Sequence, residues 1–156
     1  MAKKKKLKKT AAKKKATKKP AKAPKIYPCA LCLADDEPAH DCVPVTERQL
    51  FAKFDEDFQD AFRAVKDLGT SFGDQRIYNN ARAVMFSRRV CYMFVRPKKS
   101  FVELVFFLPK KLRDPRVHAT HQVSKTKVAH TVRVTHADQI EEPVTDWLRE
   151  AYEFAV

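Results

Sequence analysis

The chain has 156 residues and a formal charge of +13, enough for one domain and a tail. Residues 1–25 hold thirteen lysines and no acid, and the other nineteen basic residues are matched by nineteen acidic ones. The net charge therefore belongs to the N-terminal segment. No run approaches the ~20 apolar residues of a bilayer-spanning helix, and no apolar stretch follows the basic start as a secretory signal requires. A cytoplasmic protein with no membrane partner is expected.

Residues 1–25 contain one large apolar side chain, Leu7, so they cannot bury enough surface to offset chain entropy, and disorder is expected. Lysines 3, 4, 5, 6, 8, 9, 13, 14, 15, 18 and 19 stand among alanines and threonines, with Pro20 and Pro24 closing the segment. This composition resembles linker-histone tails. Such a segment neutralises phosphates and releases counterions, giving non-specific, salt-dependent binding to DNA or RNA. The candidate ligands are Lys3, Lys4, Lys5, Lys6, Lys8, Lys9, Lys13, Lys14, Lys15, Lys18 and Lys19. Association with the nucleoid would follow. The alternative is a solvated extension that only localises the protein or keeps it soluble.

Residues 26–44 carry Cys29, Cys32, His40 and Cys42, a C-x2-C-x7-H-x-C pattern. Two thiolates two residues apart can wrap one metal, and the His/Cys pair closes a tetrahedral site with no open position. A structural zinc is expected there. A redox C-x-x-C pair would sit in a βαβ unit, which this sequence does not show. Cys91 lies in a run of strand character and reads as a small buried hydrophobe.

Residues 45–156 read as an α+β domain. Thr46 and Gln49 form a capping box, with Val45 and Leu50 at staple positions. Leu50, Phe54, Phe58, Ala61, Phe62, Val65 and Leu68 continue at helical spacing, and Gly69 is placed as the residue that ends the helix. Strands are predicted over 75–78, 81–87, 90–96 and 101–108, in consecutive antiparallel order, with a fifth over 128–135. The run FVELVFFL suggests a central strand covered on both faces. A last helix opens at Pro143 and uses Trp147 as its core anchor. The expected architecture is thus a mostly antiparallel sheet of about five strands packed with an N-terminal and a C-terminal helix.

Charge divides within this neutral body. Residues 26–75 sum to −7, residues 76–133 to +12 and residues 134–156 to −5, so the helices are acidic and the sheet region basic. In a meander, Arg88, Arg89, Lys110, Lys111 and Arg113 converge at one end of the sheet. Such a rim could bind phosphate; the blander account, in which these residues solvate turns and pair with acidic helices, is favoured. His130 shares strand parity with Val128, Val132 and Val134, which makes it a hydrogen-bonded core residue rather than a catalytic base. With two glycines, Gly69 and Gly73, no glycine-rich phosphate loop exists, and no segment resembles a nucleophile elbow or a paired-carboxylate site.

The order of these parts is informative. The cysteine cluster precedes an aromatic-rich helix; then come QRIYNNARAVMFSRRVCYMFVRP, a long apolar strand, DPRV, AHTVRV and a closing DWLREAY helix. This resembles the bacterial family catalogued as domain of unknown function 5655, over about residues 27–155. The resemblance implies the α+β fold, a zinc motif at Cys29, Cys32, His40 and Cys42, and a histidine at position 130. It implies no activity, substrate or catalytic residue. The expected function is a non-enzymatic, zinc-stabilised module that associates with nucleic acid; a protein-interaction or regulatory domain is the alternative.

Overall fold

The structure is a computed structural model that describes residues 44–156. The lysine-rich segment and the cysteine cluster lie outside the described residues. The first element is the short helix α1 (Glu47–Phe51), and its capping box forms as the sequence indicates. The Gln49 backbone N–H donates to Thr46 Oγ1 over 3.2 Å, and the Thr46 N–H donates to Gln49 Oε1 over 2.9 Å.

Where one helix is expected, there are two. The chain breaks after Phe51, and Asp55 caps a new helix, α2 (Glu56–Ser71), its carboxylate accepting from the Phe58 N–H at 2.9 Å. The apolar period survives the break because Phe54 stacks on Phe58 with centroids 4.2 Å apart, and Phe51 stacks on Phe62 at 3.8 Å. Gly69 does not end the helix. It lies inside α2 with its Cα turned to the sheet, where a Cβ would stand 2.6 Å from Met93 Cε and 3.1 Å from the Phe86 ring. The positive φ falls four residues later, at Gly73 (126°).

Six strands follow: β1 (Arg76–Asn79), β2 (Val84–Ser87), β3 (Cys91–Pro97), β4 (Val102–Leu108), β5 (Val117–Ser124) and β6 (Lys127–Val134). They form one antiparallel sheet in the order β1-β2-β3-β4-β6-β5. The expected α+β class holds, with one strand more than predicted. The extra strand, β5, is an edge element exposed along most of its length, and its register against β6 shifts twice. It therefore lacks the alternation by which a half-buried strand is recognised. The first connection is also longer than an Asn-Asn turn: Asn80 Oδ1 accepts from the N–H groups of Arg82 and Ala83, and β2 starts at Val84.

The last helix, α3 (Val144–Phe154), starts directly after Pro143. Helices α2 and α3 pack on the sheet face that carries Phe86, Val95, Leu104, Phe106 and Val132, all buried. Trp147 anchors α3 as expected, stacked 6.1 Å from Phe106, and Tyr152 meets Tyr92 edge-on at 5.5 Å. The β4 run is therefore covered by helices on one face rather than on both among the described residues. On the other face, Val105 is buried beside Phe94 and Phe107, whose rings lie 6.0 Å apart.

Candidate nucleic-acid interface

Side chains alternate between the two faces of a strand, so pairing decides what the outer face displays. Tyr78 opposes Met85, Phe94 opposes Val105, Arg96 opposes Glu103, and Glu103 in turn opposes Arg133. All these residues belong to the outer face. The six strands together hold four basic residues, Arg76, Arg96, Lys127 and Arg133, and one acidic residue, Glu103.

Every one of those four cations lies over an aromatic ring. The Arg76 guanidinium is 5.2 Å from the centroid of Tyr78, and that of Arg96 is 5.2 Å from Phe94. The Lys127 ammonium sits 4.1 Å above Phe107, and the Arg133 guanidinium 4.6 Å from Phe101. Sheet geometry explains the pattern. Residues two apart on one strand share a face, which joins Arg76 to Tyr78 and Phe94 to Arg96. The other two pairs cross from β6 to β4 or to the turn that precedes it. Glu103 is neutralised locally, since Arg96 Nε donates to its carboxylate over 2.6 Å and Lys98 Nζ stands 3.8 Å away. The outer face is thus a band of rings bearing positive charge.

Phe107 and Lys127 also wall an apolar notch of about 180 Å³ with Val90, Cys91 and Phe154. The Lys127 ammonium donates to the Cys91 carbonyl at 3.0 Å, which holds the β6 start against β3's first residue across the notch. Burial pushes the Cys91 thiol above its ordinary pKa, so the notch does not favour a thiolate.

The basic rim predicted from the meander is placed as follows. Arg88 and Arg89 form the turn after β2, where the Arg89 N–H donates to the Ala155 carbonyl at 3.2 Å and Arg88 lies 4.8 Å over the Tyr152 ring. Lys110 pairs with Glu150 of α3 at 2.8 Å. Lys111 and Arg113 are exposed in the segment that leaves β4. Arg88 and Lys110 therefore both engage α3, an arrangement in keeping with the pairing account of the rim. The cation–ring band on the outer face was not read from the sequence, although R-x-Y at 76–78 and F-x-R at 94–96 were its visible signal.

His130 is fully buried, as its strand parity indicates. Its Nε2 accepts the Leu112 N–H at 3.1 Å, its ring stacks on Phe106 at 5.3 Å, and burial lowers its pKa. Its ring is enclosed within the core, where Nδ1 has no hydrogen-bond partner. Among the described residues, no cluster of three or more His, Cys, Asp or Glu side chains is placed to hold a metal, and no helix is long and apolar enough to cross a membrane. The expected zinc ligands Cys29, Cys32, His40 and Cys42, and the lysines from Lys3 to Lys19, lie outside the described residues.

No curated protein and no solved structure matches the chain. A family profile does match, over residues 47–155. The match begins at the first residue of α1, so it takes in the α+β domain and leaves out the cysteine cluster. Over that span, the chain belongs to the family described as Domain of unknown function (DUF5655).

Proposed function

We propose that the protein is a non-enzymatic module that associates with DNA or RNA without sequence preference. Residues 1–25 supply phosphate attraction, and the outer sheet face supplies a contact surface. The observation that carries this reading is the placement of charge: all four strand cations stand on one face, each over a ring, with a single and already paired carboxylate among them. Among the described residues, eight of the fifteen acidic side chains lie on α1, α2 and α3 and one lies on the sheet. A polyanion therefore meets the outer face rather than the acidic helices, and thirteen lysines in residues 1–25 extend the attraction beyond the domain. Occupancy of the chromosome or of cellular RNA, and so a nucleoid location, would follow from this chemistry.

The test is duplex binding over a salt series, comparing the whole chain with one that begins at Ile26. Each phosphate neutralised adds about 0.9 to the slope of log K against log salt on B-DNA. Losing residues 1–25 should flatten the slope and weaken binding at physiological salt. Equal slopes would remove the segment from the mechanism. In the same reading, Cys29, Cys32, His40 and Cys42 hold a structural zinc. Metal analysis should find about one zinc per chain, reduced by Cys29→Ser; a metal-free and equally stable protein would refute that part.

A second reading, a protein-docking or regulatory domain, draws on one feature. Val90, Phe154 and Val156 are 52%, 39% and 69% exposed, and the first two border the apolar notch. A stoichiometric protein partner lost on Phe154→Ser, with nucleic-acid affinity unchanged, would favour it.

A further inference from the structure

Resting on the nucleic-acid reading, we propose that the outer sheet face selects single strands over duplex by stacking unpaired bases on Tyr78, Phe94 and Phe107. Shape is the first argument. Six strands at a spacing of about 4.8 Å make a surface ~24 Å wide, twice the ~12 Å width of the B-DNA major groove. This face cannot enter a groove, so a duplex offers it phosphates alone. The faces of its bases are hidden in the stack. A single strand can lie across the sheet with its bases turned down onto the rings and its phosphates turned toward the cations.

The chemistry of the rings is the second argument. Tyr78 is 42% exposed, and Phe94 and Phe107 are half-buried on the outer face. The cation now above Tyr78 is in place to exchange. An exposed cation over a ring contributes about two- to fivefold in an equilibrium constant. A stacked base contributes about five- to 150-fold. An incoming base therefore displaces Arg76 from Tyr78, and the freed guanidinium turns to the adjacent phosphate or stacks on the base's other face. Arg96 stays paired with Glu103 and Lys127 with the Cys91 carbonyl, and there the base takes the ring area beside the cation. Phe94 and Phe107, 6.0 Å apart, would take neighbouring bases. The apolar notch beside Phe107 marks the end of the track. Glu103, paired with Arg96 and Lys98, offers little repulsion.

The experiment uses the whole chain, an oligothymidylate of about 16 nucleotides and a blunt duplex with the same number of phosphates, titrated by fluorescence anisotropy. The variants are Tyr78→Ala, at an exposed ring, and Phe94→Leu and Phe107→Leu, which keep apolar volume. The oligothymidylate should bind at least about tenfold more tightly than the duplex at ~0.15 M salt. Each variant should lose about five- to 150-fold on the single strand and leave duplex affinity unchanged. A thermal melt retained by each variant shows separately that the domain is folded. Ultraviolet crosslinking should join thymine to peptides containing Tyr78, Phe94 or Phe107. Equal affinity for both probes, or variants without effect on the single strand, would overturn the stacking proposal and leave the polyanion reading standing. Binding of neither probe would overturn both. A dimer dissolved by Phe107→Leu, with no change toward the oligothymidylate, would assign the face to a second copy of the chain and overturn the proposal.

Discussion

Replacing Gly69 by alanine should change sign with the residue opposite it. In an exposed helix interior, Gly→Ala gains about 1 kcal/mol through helix propensity. Here the new methyl would stand 2.6 Å from Met93 Cε and 3.1 Å from the Phe86 ring. Both side chains are fully buried, so Met93 cannot swing out without displacing its neighbours. Overpacking of this kind costs about 1–3 kcal/mol, and Gly69→Ala is therefore expected to destabilise the protein by about 1 kcal/mol net. In a Met93→Ala background the 2.6 Å contact is gone and the vacated space lets the Phe86 ring give way, so the same substitution should be neutral or stabilise by up to about 1 kcal/mol. Urea unfolding of the four proteins, read at unchanged m-value, gives the coupling. If Gly69→Ala stabilises the parent chain, or if the two changes add within about 0.5 kcal/mol, then α2 does not approach the sheet as described.

Two further outcomes concern titration. Burial holds the His130 pKa below its ordinary 6.5, so the unfolded chain binds a proton that the folded chain refuses. Stability is therefore complete above about pH 6.5 and falls as pH drops below it, no faster than about 1.4 kcal/mol per pH unit. Denaturant melts from pH 7.5 to 5 should show this slope, and His130→Leu should flatten it while costing about 1 kcal/mol for the lost Leu112 hydrogen bond. An identical slope in the variant would contradict the assignment. The second outcome concerns the Cys91 thiol, which burial pushes above 9.0. At pH 8 its alkylation by iodoacetamide, followed on its own peptide by mass spectrometry, should run slower than that of a free cysteine and accelerate in urea. A rate equal to that of free cysteine would show the site to be open.

The fold was legible wherever local chemistry and burial agreed. Thr46 and Gln49 fix the start of α1, Trp147 the face of α3 and His130 the inner face of β6, because each lies in a pattern whose period matches its environment. The misses have physical causes. Phe54 continues the apolar period across the break before α2, so the spacing of aromatics concealed two helices that Asp55 separates. Gly69 looked like a helix terminator and is a point of close approach, a distinction set by Met93 and Phe86 from distant strands. Edge strand β5 pairs on one side only and carries histidines and polar residues on both faces, so alternation could not reveal it. Half of the outer-face band was visible as R-x-Y and F-x-R. The other half, Lys127 over Phe107 and Arg133 over Phe101, depends on the β4–β6 register, which a single sequence does not specify. The lysine segment and the basic character of the sheet region were conspicuous from composition, whereas the gathering of the strand cations on one face emerged from pairing.

The most direct test of the account is the salt dependence of oligonucleotide binding by the whole chain when Arg76, Arg96, Lys127 and Arg133 are each replaced by glutamine. If the outer face meets the backbone, the slope of log K against log salt on a single strand should shrink by about 0.7 for each phosphate that is no longer neutralised, with the thermal melt retained. A slope and affinity indistinguishable from those of the parent chain would contradict the claim that the sheet takes part in binding.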